Sequence, residues 1–159
     1  MTEKIHDGSI YHGEMLGFLR HGQGRMTYSN GKYYEGQWEL GEITGYGTLF
    51  SKDNSVIYQG TWKNGKYHGQ GTLFNYRQLK IEMKFKERPI IYEKQVGAWV
   101  KFKGEFKEDR WDGYGGLLFT NGDNYKGEFK NDKIHGNGFY EAKSGRVWKG
   151  IWEDNSFII

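Results

Sequence analysis

Five histidines, His6, His12, His21, His68 and His135, are the side chains best suited to hold a metal or move a proton. His21, His68 and His135 occupy one position of a recurring pattern, and His21 and His68 are two pattern lengths apart. If each pattern length makes two strands, those two lie about 19 Å apart. Zinc ligands sit within about 2.1 Å of one ion. A shared metal site within one chain is therefore excluded, and each histidine reads more simply as a turn or strand-start residue packed beside glycine. The sequence contains no Cys, which removes disulfides, thiolate zinc sites and a cysteine nucleophile together. No G-x-S-x-G elbow occurs, and Ser29, Ser51, Ser55 and Ser144 fall in expected turns. Carboxylates are spread along what would be a solvated face, where facing pairs arise by accident. Gly-x-Gly pairs recur, but a phosphate loop needs a strand before it and a helix after it. The expectation is no catalytic residue, no metal and no cofactor, and hence not an enzyme.

The segments that carry these residues repeat, and a repeat has to be found before any fold is assigned. A ring is followed by Gly two positions on and a large apolar residue four positions on at Tyr11-x-Gly13-x-Met15, Tyr34-x-Gly36-x-Trp38 and Tyr58-x-Gly60-x-Trp62. The same pattern returns at Phe102-x-Gly104-x-Phe106, Tyr125-x-Gly127-x-Phe129 and Trp148-x-Gly150-x-Trp152. Steps are 23 or 24 residues except across the interval from Tyr58 to Phe102. Every start but the last is followed by a glycine pair: Gly22/Gly24, Gly45/Gly47, Gly69/Gly71, Gly113/Gly115 and Gly136/Gly138. Within the long interval, Ile81-x-Met83-x-Phe85 keeps the apolar positions, while Met83, Tyr92 and Lys94 replace the glycines. The chain reads as one array over 1–159, with repeats 11–33, 34–57, 58–80, a degenerate 81–101, 102–124, 125–147 and a half-repeat 148–159.

Side chains alternate across a strand with period two, so Tyr34, Gly36 and Trp38 share one face while Glu35 and Gln37 share the other. One face becomes ring, gap, ring; the other is Glu, Gln, Lys and Thr. Gly weakens a strand unless something packs closely on it, and here a ring from the neighbouring strand is available for each. Asn-Gly at 30–31, 64–65 and 121–122 and Ser-Gly at 144–145 mark turns. The chain is expected to be all-β: an elongated single-layer antiparallel β-meander of repeated hairpins, with about 13 strands and about 60 Å long at ordinary strand spacing.

Composition agrees. Gly appears 25 times, and 18% of residues are aromatic, so the rings supply the apolar area that a Gly-rich chain otherwise lacks. The opening residues carry no apolar run or Arg-rich amphipathic pattern, which predicts no signal or transit peptide. No apolar stretch approaches the roughly 20 residues of a membrane-spanning helix. The expectation is a soluble protein of the cytoplasm or cytoskeleton.

Tyr58-Gln-Gly60-Thr-Trp62-Lys-Asn-Gly65-Lys-Tyr-His68-Gly69-Gln-Gly71 resembles a nearly complete MORN (membrane occupation and recognition nexus) repeat, and the resemblance covers almost the whole chain. It implies a twisted single-layer sheet that serves as a scaffold, holding an extended or helical partner segment in its aromatic groove or dimerising. By family habit it implies a place in a cilium, flagellum or other cytoskeletal assembly. Phospholipid binding is also attributed to the family.

Three surfaces are candidates for contact. Contiguous apolar surface marks binding sites and Tyr and Trp anchor interfaces, so the aromatic face, with Tyr34, Trp38, Tyr58, Trp62, Phe102, Phe106, Tyr125 and Phe129, is the expected partner site; the alternative is that these rings satisfy one another. From Arg77 to Arg110 the sequence carries ten basic residues against six acidic. Lys84, Lys86 and Arg88 are thus candidates for an anionic partner or membrane surface, although interspersed acids equally fit ordinary solvated sheet. The surplus is small and no nucleic-acid motif is present, so nucleic acid is not expected. Edge strands need capping, and the apolar end, Trp148, Trp152, Phe157, Ile158 and Ile159, is a candidate edge for self-association or assembly. The reading is a protein-binding scaffold of a larger cytoskeletal or ciliary assembly. The alternatives are a peripheral membrane adaptor using the basic segment 77–110 and an accessory subunit of an enzyme complex.

Overall fold

A computed structural model describes residues 1–87 and 91–159, with side chains described outside 86–95. The chain is all-β, an antiparallel meander of repeated hairpins. Fourteen strands and no helix run through the described residues, against about 13 expected. Contacts divide it into two compact units, Met1–Gly71 and Thr72–Ile159.

In the first unit, β1 (Thr2–Lys4), β2 (Ile10–Leu16), β3 (Leu19–Thr27), β4 (Tyr33–Glu39), β5 (Glu42–Phe50), β6 (Val56–Lys63) and the greater part of β7 (Lys66–Phe74) lie side by side in sequence order. Two kinds of turn alternate along it. Within a repeat the strands join through two residues, as between the facing residues Glu39 and Glu42. Backbone twist favours turns of this length with both central residues at positive φ; Asn64 (φ 50°) and Gly65 (φ 76°) comply. Between repeats a wider turn is closed by two bonds, for example Tyr28 N to Lys32 O and Gly31 N to Tyr28 O, both 2.9 Å.

The second unit begins with β8 (Lys80–Glu87) and β9 (Ile91–Lys107), then β10 (Arg110–Phe119), β11 (Asn124–Lys130), β12 (Lys133–Glu141), β13 (Val147–Glu153) and β14 (Ser156–Phe157). β9 through β14 continue the antiparallel meander. β9 is 17 residues long: its second half pairs with β10, and its first half pairs with β8. β8 also reaches the far end of the meander. Ser156 pairs with Lys84 in parallel, and Lys84 N donates to Asn155 O at 3.1 Å. The strands of this unit therefore close on themselves.

That closure changes the role of segment 81–101. As a degenerate repeat it was expected to take its turn in the meander; instead β8 swings to the opposite edge. The missing glycines give the physical reason. A strand with a side chain at every position cannot let a neighbouring ring lie on its backbone, so Met83 and Phe85 insert their own side chains and are almost fully buried. The expected open edge at the C-terminal end is engaged within the chain as well. Beyond the β8–β14 pairing, Ile158 N donates to Ile151 O (2.8 Å) and Ile151 N to Ile159 O (2.7 Å). Trp152 is buried, and only Ile158 and Ile159 of the five edge candidates are substantially exposed.

Candidate functional site

Each repeat builds the same small assembly. Tyr34, on β4, lays its ring over Gly47 on β5, where a Cβ would collide with Tyr34 Oη, Cζ and Cε2. Its hydroxyl donates to Gln37 O at 2.9 Å. Tyr11, Tyr58 and Tyr125 do likewise to Glu14 O, Thr61 O and Glu128 O. A tyrosine can thus be buried whole, because its one polar atom finds a carbonyl inside its own strand.

The second ring of four repeats, Trp38, Trp62, Phe129 and Trp152, bridges backwards. Trp38 meets Tyr34 edge-on at 5.6 Å and Tyr11 of the preceding repeat at 5.2 Å. Trp62 repeats this with Tyr58 (5.1 Å) and Tyr34 (5.2 Å). In the second unit Phe129 does so with Tyr125 and Phe102, and Trp152 with Tyr125. In the first unit a hydrogen bond adds direction: Trp38 Nε1 donates to Gly24 O (3.2 Å) and Trp62 Nε1 to Gly47 O (3.0 Å).

All eight rings expected to meet a partner lie on this face, brought together within each unit, and their exposure runs only from 0% to 7%. Edge-to-face neighbours and bare glycine backbone cover them. Anything approaching this face would meet the residues that rim the rings, not the rings themselves. Met26, Leu49, Leu117 and Tyr140 stand directly across from the repeat tyrosines or phenylalanine in the strand register. Of these Leu49 alone is half-exposed. Tyr67, stacked on Tyr58 at 3.9 Å, is half-exposed too. In the second unit the same face is filled by Phe85, which packs on Trp148 (4.6 Å), Tyr140 (4.9 Å) and Trp152 (5.6 Å).

The polar residue three positions after each leading ring has a defined part that the sequence reading missed. Gln37 Oε1 accepts from Tyr46 N at 2.6 Å, Glu14 Oε1 from Gln23 N at 3.2 Å and Glu105 Oε2 from Tyr114 N at 2.5 Å. Glu128 does the same for Asn137 N. Thr61 serves with its hydroxyl, which donates to His68 O. Each brace crosses to the start of the next strand where the pairing register shifts, as between Gly36 and Trp38. The signal was present in the sequence: Glu, Gln, Thr, Glu and Glu stand at one repeat position. These side chains hold the backbone of the bulge.

The histidines are local. His12 Nδ1 pairs with Thr2 Oγ1 at 2.8 Å, and His21 Nδ1 accepts from Leu40 N at 3.3 Å. Among the described residues no three of His, Asp and Glu gather where an ion could sit. Of the basic candidates, Lys84 is exposed on β8; the Lys86 side chain and Arg88 lie outside the described residues.

Five segments, 11–33, 34–56, 58–74, 102–124 and 125–145, match the MORN repeat family, and together they span more than half of the chain. The chain belongs to the MORN-repeat family, whose repeats mediate protein or membrane contacts. It is similar to MORN repeat-containing protein 3 of Xenopus laevis, 41% identical over 51 residues. That match covers 31% of this chain and 21% of the relative, so the chain spans about a fifth of that protein's length.

Proposed function

We propose that this chain is a non-catalytic scaffold that holds an extended or helical segment of a partner protein along the ring face of its first unit, within a larger cytoskeletal or ciliary assembly. The seat of Phe85 carries the reading. In the second unit β8, paired edge to edge with β9 and β14, turns two apolar side chains, Met83 and Phe85, into the ring face, where they are buried. A face built from these rings and glycines therefore accepts apolar side chains presented two residues apart by an extended segment. In the first unit Leu49 and Tyr67 stay half-exposed, whereas their repeat counterparts in the second unit (Leu117 and Tyr140; Trp111 and Ile134) are buried. The apolar strip beside Tyr34, Trp38, Tyr58 and Trp62 is where a partner strand or helix would lie. The assembly is inferred from family membership.

The test is capture from cell extract with the wild-type chain and with Leu49→Lys, followed by mass spectrometry. The expected result is one partner lost in the variant while its circular dichroism stays that of a folded sheet. Identical capture by both chains would count against the ring face. Sedimentation with anionic vesicles that is lost on Lys84→Glu would replace the protein partner with a lipid surface.

A further inference from the structure

The two-residue turns within the repeats can be compared position by position. The first turn residue is Gly17, Leu40, Asn64, Glu108, Asn131 or Asp154, every one with φ between 45° and 60°. This left-handed conformation suits Gly, Asn and Asp. A branched leucine there is an outlier. Leu40 holds φ 47° yet is 57% exposed, so no internal packing explains why a leucine stands at that position. Backbone strain kept without a gain in burial points to a use outside the fold.

The neighbouring tip is apolar and exposed as well. The adjoining tip carries Phe18, 100% exposed, between Leu16 (55%) and Leu19 (47%). The two tips touch: Gly41 N donates to Arg20 O at 2.9 Å, and a Cβ on Gly41 would lie 3.7 Å from Leu19 Cδ2. Four exposed apolar side chains thus stand on two adjoining tips, while the tips of the second unit are built from Glu108, Asp109, Asn131, Asp132, Asp154 and Asn155.

Charge selects the occupant. Glu39 and Glu42 flank Leu40, both exposed and without an ion pair among the described residues. On the other side Arg20, next to Leu19, is already paired with Glu3 at 2.9 Å. Lys63 and Lys66 flank the third tip, which carries Asn64 and Gly65 instead of apolar side chains. Glu39 next to Leu40, and Glu42, whose carboxylate reaches toward Gly65 of the third tip, give the second tip two unpaired negative charges, which repel an anionic bilayer and a second copy of the same tip. The apolar surface of the two tips is also small: its largest side chain offers roughly 200 Å², against roughly 800 Å² per partner in a stable complex.

We propose that the tips at Leu16–Leu19 and Leu40–Gly41 are a docking point for a weakly bound protein segment that presents apolar anchors flanked by Lys or Arg. This surface is separate from the ring face and does not depend on the reading given for it.

The experiment is a titration of the full ¹⁵N-labelled chain with two synthetic amphipathic helices that share one Leu/Phe stripe, one flanked by Lys and its twin by Glu. The Lys peptide is expected to move the amide signals of residues 16–20 and 39–42 and to bind at least tenfold tighter than its twin. Changing both Glu39→Lys and Glu42→Lys should reverse that preference. Leu40→Asn should melt at a higher temperature than the wild type and lose binding, which separates lost contact from lost fold; Phe18→Ser should also lose it. The proposal is overturned by equal binding of both peptides, by no shift with either, or by shifts confined to the ring-face residues Leu49 and Tyr67. It is equally overturned if anionic vesicles, or rising concentration of the chain alone, perturb the tip signals while the Lys peptide does not.

Discussion

The ring of Phe85 sits 4.6 Å from that of Trp148, across the seam where the first strand of the second unit meets its last hairpins. Because Phe85 is almost fully buried, truncating it removes both transfer free energy and packing at the closure. Phe85→Ala is expected to destabilise the second unit by about 3–5 kcal/mol. Hydrogen exchange checks this: amides of β8, β13 and β14 should lose protection, while those around Tyr34 and Tyr58 keep theirs.

A methyl group at Gly47 has nowhere to go, since it would meet the Tyr34 ring. Gly47→Ala is expected to cost about 1–3 kcal/mol by overpacking. If the clash is with Tyr34, the cost should shrink when Tyr34→Leu is already present, so the double mutant falls short of the sum. Strict additivity in urea denaturation would mean that the two residues do not meet.

Burial pushes the phenols of Tyr34 and Tyr125 well above the ordinary tyrosine range, and that of Tyr11 upward as well. In the unfolded chain tyrosine ionises near pH 10. Above that pH the unfolded state has lost protons that the folded state keeps. The stability these groups contribute is therefore complete below about pH 10 and declines as pH rises further. Ultraviolet titration should show a class of tyrosines that ionises only together with loss of the β-sheet circular dichroism signal. Smooth ionisation of all twelve tyrosines in a folded chain would refute this.

Tyr140 donates to Asp123 Oδ2 at 2.5 Å, and Lys143 N donates to Oδ1 at 2.8 Å. Both Tyr140 and Asp123 are buried. Tyr140→Phe takes a hydroxyl donor from a buried carboxylate and is expected to cost about 1–3 kcal/mol. Tyr33→Phe loses a hydroxyl contact to Asn54 in a more open turn and should cost less. Comparing the two melting temperatures tests the ranking.

The ring, gap, ring face was legible because residue type and spacing repeat, and strand alternation is a local rule. Tyr34 over Gly47 follows from it directly. The bracing by Gln37 and Glu105 was equally local, and its acceptor residues were visible at one repeat position, but nothing in alternation alone says that a solvated side chain turns back to a backbone N–H. The destination of Phe85 was not legible. It depends on the sheet curving until β8 reaches β14, a sum of twists over many residues that no single window contains. The burial of Trp38 and Trp62 was open in the sequence for a related reason: whether rings cover one another depends on the distance between strands. Leu40 and Phe18 were overlooked because an apolar residue in a strand pattern is expected to point inward, and these two stand at turns.

Each indole bond in the first unit, from Trp38 to Gly24 and from Trp62 to Gly47, stitches one hairpin pair to the one before it. Inserting a whole further copy of 34–57 after residue 57 leaves a tryptophan facing a glycine carbonyl at both new joints, so this half of the molecule can be lengthened like beads on a string. The other half is a hoop: its first and last strands already touch, and an added hairpin there would force the circle open.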